Sequence, residues 1–302
     1  MKKALIVGLD NYGTNIQSSF GCINSATLWE YTLKDRFNFD EVKVLTDKEA
    51  TTQKIKKALN TTVSSLEKED VFVFIFIGHG YNEDGDDGGG DKKNEKIFTY
   101  DGKIIDNEIR EILNTNTNNA RVVLLVEACY NGTIDKKSNP ILITDKANEI
   151  VFTACGPSQS AQLSSFGGIT MGVFTYYATK ILGEAATINY VDFFRKLEFE
   201  IKYHSFLQQP QFIYTNPNSI YENVFSSYKT FDAITASYPY IIANPNIRWM
   251  TFLHLINGKQ LFLDLKKATD FLQIDLDTFN EKATNTKEIK KMIDQINNNQ
   301  LF

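Results

Sequence analysis

Two uninterrupted apolar runs, Val71-Phe72-Val73-Phe74-Ile75-Phe76-Ile77 and Val122-Val123-Leu124-Leu125-Val126, constrain this chain more than anything else in it. Neither alternates with polar residues, so each reads as a strand covered on both faces, as in a parallel sheet between helices. Each run also ends in chemistry: the first on Gly78-His79-Gly80, the second on Glu127-Ala128-Cys129-Tyr130-Asn131-Gly132. Open parallel sheets carry their sites at the carboxyl ends of the strands, so neighbouring strands with these tips would hold an imidazole beside a thiol. We read His79 and Cys129 as a catalytic dyad.

The segments around these runs supply the remaining layers. Residues 3–9 form a first apolar strand followed by turn residues Asp10-Asn11-Tyr12-Gly13. Apolar residues from about Ser18 to Arg36 recur at helical spacing, Val42–Leu45 is a short strand, and a helix is expected from Thr51 to Leu66. This βαβαβ order calls for a parallel sheet with helices on both faces. Residues 82–91 read as a polar, glycine-rich loop, and Ile97–Ile105 as a hairpin turning at Asp101-Gly102. Asp106 is placed as the N-cap of a helix to Leu113. Ile150–Ala154 is a fifth strand, helices are expected over Thr170–Leu182 and Tyr190–Phe206, and Gln211–Tyr214 is a sixth strand. The expected fold is therefore α/β, a three-layer sandwich around a six-stranded, mostly parallel sheet within residues 1–225. Residues 226–302 are expected to be a small, mainly helical appendage.

Composition removes several function classes. A formal net charge of −5 with no basic block disfavours a nucleic-acid partner. No run approaches the roughly 20 apolar residues that span a bilayer. The start, Met1 to Leu9, resembles a signal peptide but breaks at Asp10, so it reads as the first strand. Three cysteines make no disulfide framework, which points to reduced thiols and a cytoplasmic setting. Neither Cys-x-x-Cys nor a paired histidine motif exists to build a zinc site.

Taken in order, Ala4–Gly13, Gly21-Cys22-Ile23-Asn24, Val44-Leu45-Thr46-Asp47, Gly78-His79-Gly80 and Glu127–Gly132 resemble the successive motifs of metacaspases and other caspase-like cysteine peptidases. Gln209-Pro210-Gln211 falls where that family enters its last strand, and the resemblance covers about residues 3–216. The interval from His79 to Cys129, 50 residues, is the caspase spacing. The resemblance implies a Cys-His dyad, endopeptidase activity and a protein or peptide substrate. It also implies a possible Ca²⁺ site at Asp106, followed here by Asn107 where the family often has a second aspartate, with Asp91 and Asp135 as further oxygen donors. No other cofactor is required. Two departures stand out: Ser25 occupies a position where metacaspases usually place aspartate, and Glu-Ala-Cys replaces Asp-Ser-Cys, as in the legumain-like branch of the clan.

A free thiol is only a few per cent ionised at neutral pH, so Cys129 needs His79 as a proton partner. Backbone N–H groups of Gly80 and Cys129 are the candidates for stabilising the oxyanion. Strand alternation puts Glu127 on the same face as Cys129, where its carboxylate could floor the pocket for the residue before the cut and favour Lys or Arg. Ser25 and Cys155 are the other candidate substrate-binding residues. An Asn or small neutral residue at the cut is the alternative, and a caspase-like binding or scaffold module without turnover is the rival from another class. Lys136, Lys137 and Lys146 are candidate self-cleavage points, and residues 226–302 a candidate surface for a regulatory protein partner.

Overall fold

The computed structural model describes residues 1–84, 93–129, 148–156, 159–185, 187–217 and 219–225, with three short strands farther on. The first half runs β1 (Lys2–Gly8), α1 (Cys22–Tyr31), β2 (Glu41–Thr46), α2 (Thr52–Ser64), β3 (Val71–Gly78), β4 (Gly80–Asp84), β5 (Lys93–Phe98), β6 (Lys103–Ile105) and α3 (Asp106–Leu113). The second runs β7 (Arg121–Ala128), β8 (Glu149–Thr153), β9 (Leu163–Phe166), β10 (Ile169–Gly172), α4 (Val173–Glu184), α5 (Tyr190–Tyr203) and β11 (Gln211–Tyr214). Beyond these lie β12 (Tyr240–Ile241), β13 (Thr251–Ile256) and β14 (Lys259–Asp264).

Six strands form the central sheet in the order β11-β8-β7-β3-β1-β2, with only β11 antiparallel to its neighbour. Period-two alternation then divides the apolar runs between two layers. Ala4, Ile6, Val73, Ile75, Val123, Leu125 and Phe152 pack with α1, α4 and α5 on one side. Leu5, Val7, Phe72, Phe74, Phe76, Leu124 and Val126 pack with α2 and α3 on the other. The two central strands have no solvent face, which is why their sequences show no polar alternation.

Local chemistry explains most element ends. The Thr51 side chain accepts from the Lys54 N–H and caps α2. Asp106 is the first residue of α3 and not its cap. Ile105 precedes the helix, and Glu108 reaches back to accept the Ile105 N–H at 3.0 Å. The polar loop expected at 82–91 begins as strand, since Asn82–Asp84 pair with β5. The helix expected from Thr170 starts only at Val173, because Leu163–Phe166 and Ile169–Gly172 form a hairpin turning at Gly167-Gly168, both at positive φ.

The described part of the expected helical appendage is strand. β12, β13 and β14 make an antiparallel sheet, and Leu261–Leu263, within the appendage expected to be mainly helical, lie in β14. The sequence joining β13 to β14 is Asn257-Gly258, a strong hairpin signal that charge periodicity in the segment obscures. Residues 265–302 lie outside the described residues.

Phe152 is the aromatic centre of the α4/α5 layer. It is buried, stacked on Phe212 at 4.8 Å and edge-on to Phe193 at 5.4 Å. Phe152→Ala is expected to cost about 3–5 kcal/mol, read as a lower urea midpoint at unchanged m-value.

Candidate active site

In the β3–β7 ladder Gly78 pairs with Ala128, so the next residues, His79 and Cys129, leave adjacent parallel strands side by side. Both are partly exposed, and Cys129, Cys22 and Cys155 form no disulfide. Each functional side chain is engaged by a main-chain carbonyl. His79 Nε2 lies 2.9 Å from the Gln17 carbonyl oxygen. A carbonyl only accepts, so Nε2 carries the proton, and in the neutral ring Nδ1 is left with its lone pair. The His79 N–H donates to Tyr12 Oη at 2.8 Å, and the two rings lie 5.3 Å apart. Burial pushes the Tyr12 phenol above its usual range, which keeps the hydroxyl protonated. The Cys129 thiol donates to the Ala161 carbonyl at 3.7 Å.

Gly80 follows the histidine and is buried under the Cys129 main chain: a Cβ there would lie 3.0 Å from the Cys129 carbonyl oxygen. The Phe98 N–H donates to the His79 carbonyl, which makes Gly80 and Ile97 a non-hydrogen-bonded pair of the β4–β5 ladder. The Gly80 N–H is therefore not spent on β5.

The three residues expected to bind substrate are all buried. Glu127 is 4% exposed. Its Oε1 accepts the N–H groups of Phe174 at 2.9 Å and Thr175 at 3.3 Å, and its Oε2 accepts the Thr175 hydroxyl. These groups belong to the first turn of α4, so the carboxylate caps that helix in place of Gly172, which has no side chain to do so. Gly172 is needed there, since a Cβ would overlap the carboxylate. Ser25 is fully buried and its hydroxyl accepts the Gly172 N–H at 2.8 Å. Cys155 is likewise fully buried, its thiol directed at the carbonyls of Ala128 and Gln159 at 3.3 and 3.4 Å. It ties the β8 tip to the β7 tip and does not line the cleft. Glu127 and Ser25 converge behind Cys129 on one helix terminus and form no open pocket floor.

Burial drives the Glu127 carboxyl up to about 7, the helix donors opposing the shift. Cys22, beside this cluster, is pushed far up by burial, with the charges of Asp10 and Glu127 adding to it, and is an inert packing thiol. Asp106 does not fit a calcium ion: Arg110 pairs with it at 3.1 Å and holds Asn107 Oδ1 at 2.9 Å, so a guanidinium takes the place of a cation. Among the described residues no group of three metal-ligating acidic, His or Cys side chains occurs. Asp91, Asp135, Lys136, Lys137 and Lys146 lie outside the described residues.

An α/β sandwich whose neighbouring strand tips carry histidine and cysteine is the arrangement that the resemblance to caspase-like peptidases implies. Residues 2–136 match the model of the metacaspase peptidase C14 domain. Metacaspase-3 of Arabidopsis thaliana is 29% identical over 227 residues, covering 63% of this chain and 62% of its own length. Metacaspase-2 of the same plant is 33% identical over 147 residues, 44% of this chain and 35% of its own. Metacaspase-1 of Yarrowia lipolytica is 32% identical over 148 residues, 44% of this chain and 32% of its own. The chain thus spans less than two thirds of each of these relatives. A crystal structure of a Geobacter sulfurreducens protein, GSU0716, superposes with a TM-score of 0.63 at 20% identity, covering 76% of this chain and 99% of that one, and supports the fold. The metacaspase-like reading of the sequence motifs stands.

Two predictions follow from the Glu127 cap. Gly172→Ala is expected to destabilise the fold by about 1–3 kcal/mol, and a double-mutant cycle with Glu127→Ala should show strong coupling in chemical denaturation. The Glu127 carboxyl is also raised above its unfolded value of 4.5. Between pH 4.5 and about 7 the folded state holds a proton that the unfolded state has lost, so stability falls across that window and levels off above it. Glu127→Gln should flatten this slope, removing a difference of up to about 3 kcal/mol, as measured by urea midpoints at pH 5 and pH 8.

Proposed function

We propose that this chain is a cysteine endopeptidase working through Cys129 and His79. The observation that carries the reading is the pairing of Gly78 with Ala128, which brings the two side chains to one edge, together with the Nε2–H bond that leaves His79 Nδ1 as proton acceptor. In this mechanism the Cys129 thiol turns from the Ala161 carbonyl, passes its proton to Nδ1, and the thiolate attacks the scissile carbonyl carbon. The Gly80 and Cys129 N–H groups receive the oxyanion. His79 then protonates the leaving amine as the C–N bond breaks, and water hydrolyses the thioester. The thiol's engagement with Ala161 describes a resting state from which the nucleophile is recruited by substrate.

For specificity we propose cleavage after Lys or Arg. The support is the resemblance of the sequence motifs to metacaspases, since Glu127 itself is buried at the N-terminus of α4. A neutral pocket, with Asn or a small residue preferred, is the alternative. Activity in a reducing, cytoplasmic compartment, self-cleavage at Lys136, Lys137 or Lys146, and control by a protein partner through residues 226–302 belong to the same proposal.

The test is a fluorogenic peptide library with wild type, Cys129→Ala and His79→Ala. We expect Lys and Arg substrates to lead, and both variants to lose at least about 10³-fold in activity. Acidic substrates in the lead would overturn the specificity. A Cys129 that alkylates with iodoacetamide no faster than an unfolded thiol, in a protein that cleaves nothing, would leave the scaffold module as the better reading.

A further inference from the structure

Residues 10–21, between β1 and α1, belong to no helix or strand, yet two carboxylates close the segment at both ends. Asp47 Oδ1 accepts the N–H groups of Asp10 and Asn11, both at 2.9 Å, and Asp47 Oδ2 accepts the Asn11 amide at 2.8 Å. Asp10 Oδ1 accepts the N–H groups of Gly21 at 3.0 Å, Cys22 at 2.7 Å and Ile23 at 3.3 Å, which folds the far end back onto the near one. The Ser19 N–H donates to the Asp10 carbonyl at 2.8 Å, and the Gly13 N–H to Tyr100 at 2.7 Å. Both acceptors that hold His79, Tyr12 Oη and the Gln17 carbonyl, project from this closed loop.

Asp47 itself sits at φ 41, in the left-handed region that aspartate tolerates better than most residues. That backbone turns its carboxylate back on the loop at the end of β2, the strand beside β1. We infer that Asp47, through Asp10, is a positioning residue for His79: closing the 10–21 loop keeps the Gln17 carbonyl on Nε2–H and so keeps Nδ1 free to accept the thiol proton. The inference deepens the peptidase reading and rests on it for its catalytic consequence. The tautomer it sets is a property of the folded protein with or without turnover.

The test is Asp47→Gly, which preserves the left-handed backbone without strain and deletes only the carboxylate. Asp47→Asn, which keeps an acceptor for both loop N–H groups, is the conservative control. Imidazole ¹⁵N shifts are recorded on ¹⁵N-histidine-labelled full-length protein, with the His79 signals assigned by His79→Gln. Wild type is expected to show the Nε2–H tautomer, Asp47→Gly an average of both tautomers, and Asp47→Asn the wild-type pattern. Activity should follow, with kcat down roughly tenfold to a hundredfold at nearly constant KM in Asp47→Gly and largely restored in Asp47→Asn. If Asp47→Gly does not fold, Asn11→Ala, which removes one of the three clasp bonds, should move the shifts the same way by less. Unchanged His79 shifts with unchanged kcat in a folded Asp47→Gly would overturn the inference. Should wild type cleave no peptide, the ¹⁵N shifts alone judge the clasp, and it is the peptidase reading that falls.

Discussion

Everything at the candidate site depends on the register of β3 against β7. Both strands are covered on both faces, so a slip by one residue would exchange every side chain between the two apolar layers. Phe74 would meet the α4/α5 side and Ile75 the α2/α3 side, each in a space shaped for the other. The packing of the whole sheet thus holds Gly78 opposite Ala128 and delivers His79 and Cys129 to one edge. The juxtaposition of His79 and Cys129 is a by-product of a core that has only one good alignment.

The second dependence runs through α4, a helix whose own ends carry little help. Its N-cap is a glycine, and its first turn has no acidic residue. The missing charges come from elsewhere: Glu127 sits at the N-terminus, while Arg36 donates to the carbonyls of Leu182 at 3.2 Å and Ala185 at 2.5 Å near the C-terminus. Both complement the helix dipole. Trp29 donates to Thr175, which donates to Glu127, so α1, α4 and β7 meet in one buried hydrogen-bond chain. Glu127, two positions before Cys129, thereby ties β7 to the helix beneath it, which accounts for its burial better than a direct role on substrate does.

Much of this was legible beforehand. The apolar runs announced buried parallel strands, the glycines around His79 announced a strand tip, and Ile97–Ile105 announced a hairpin. Strand alternation puts Glu127 on the face of β7 that carries Val123 and Leu125, but alternation assigns a face and says nothing about what occupies it. There the N-terminus of a helix 47 residues farther on takes the carboxylate. Cys155, at a strand tip like Cys129, is sealed by the segment that includes Gln159, and Asp106 is met by an arginine one helical turn away. In β9–β10 each strand is only four residues long, and the alternation of Ile169-Thr170-Met171 runs straight into the apolar start of α4, so the helical pattern was read through it.

The sequence alone determined the sheet class, the two strand tips and the chemical pair they carry, because side-chain polarity and periodicity respond directly to burial on a sheet. It could not reveal that the carbonyls of Gln17 and Ala161 hold the imidazole and the thiol, since every residue carries the same carbonyl and only the folded path brings one to a given atom. Nor could it assign the buried role of Glu127, which exists only once α4 has docked. Tertiary structure decided those contacts because each joins groups far apart in the chain, through main-chain atoms or helix ends that leave no mark in the residue pattern.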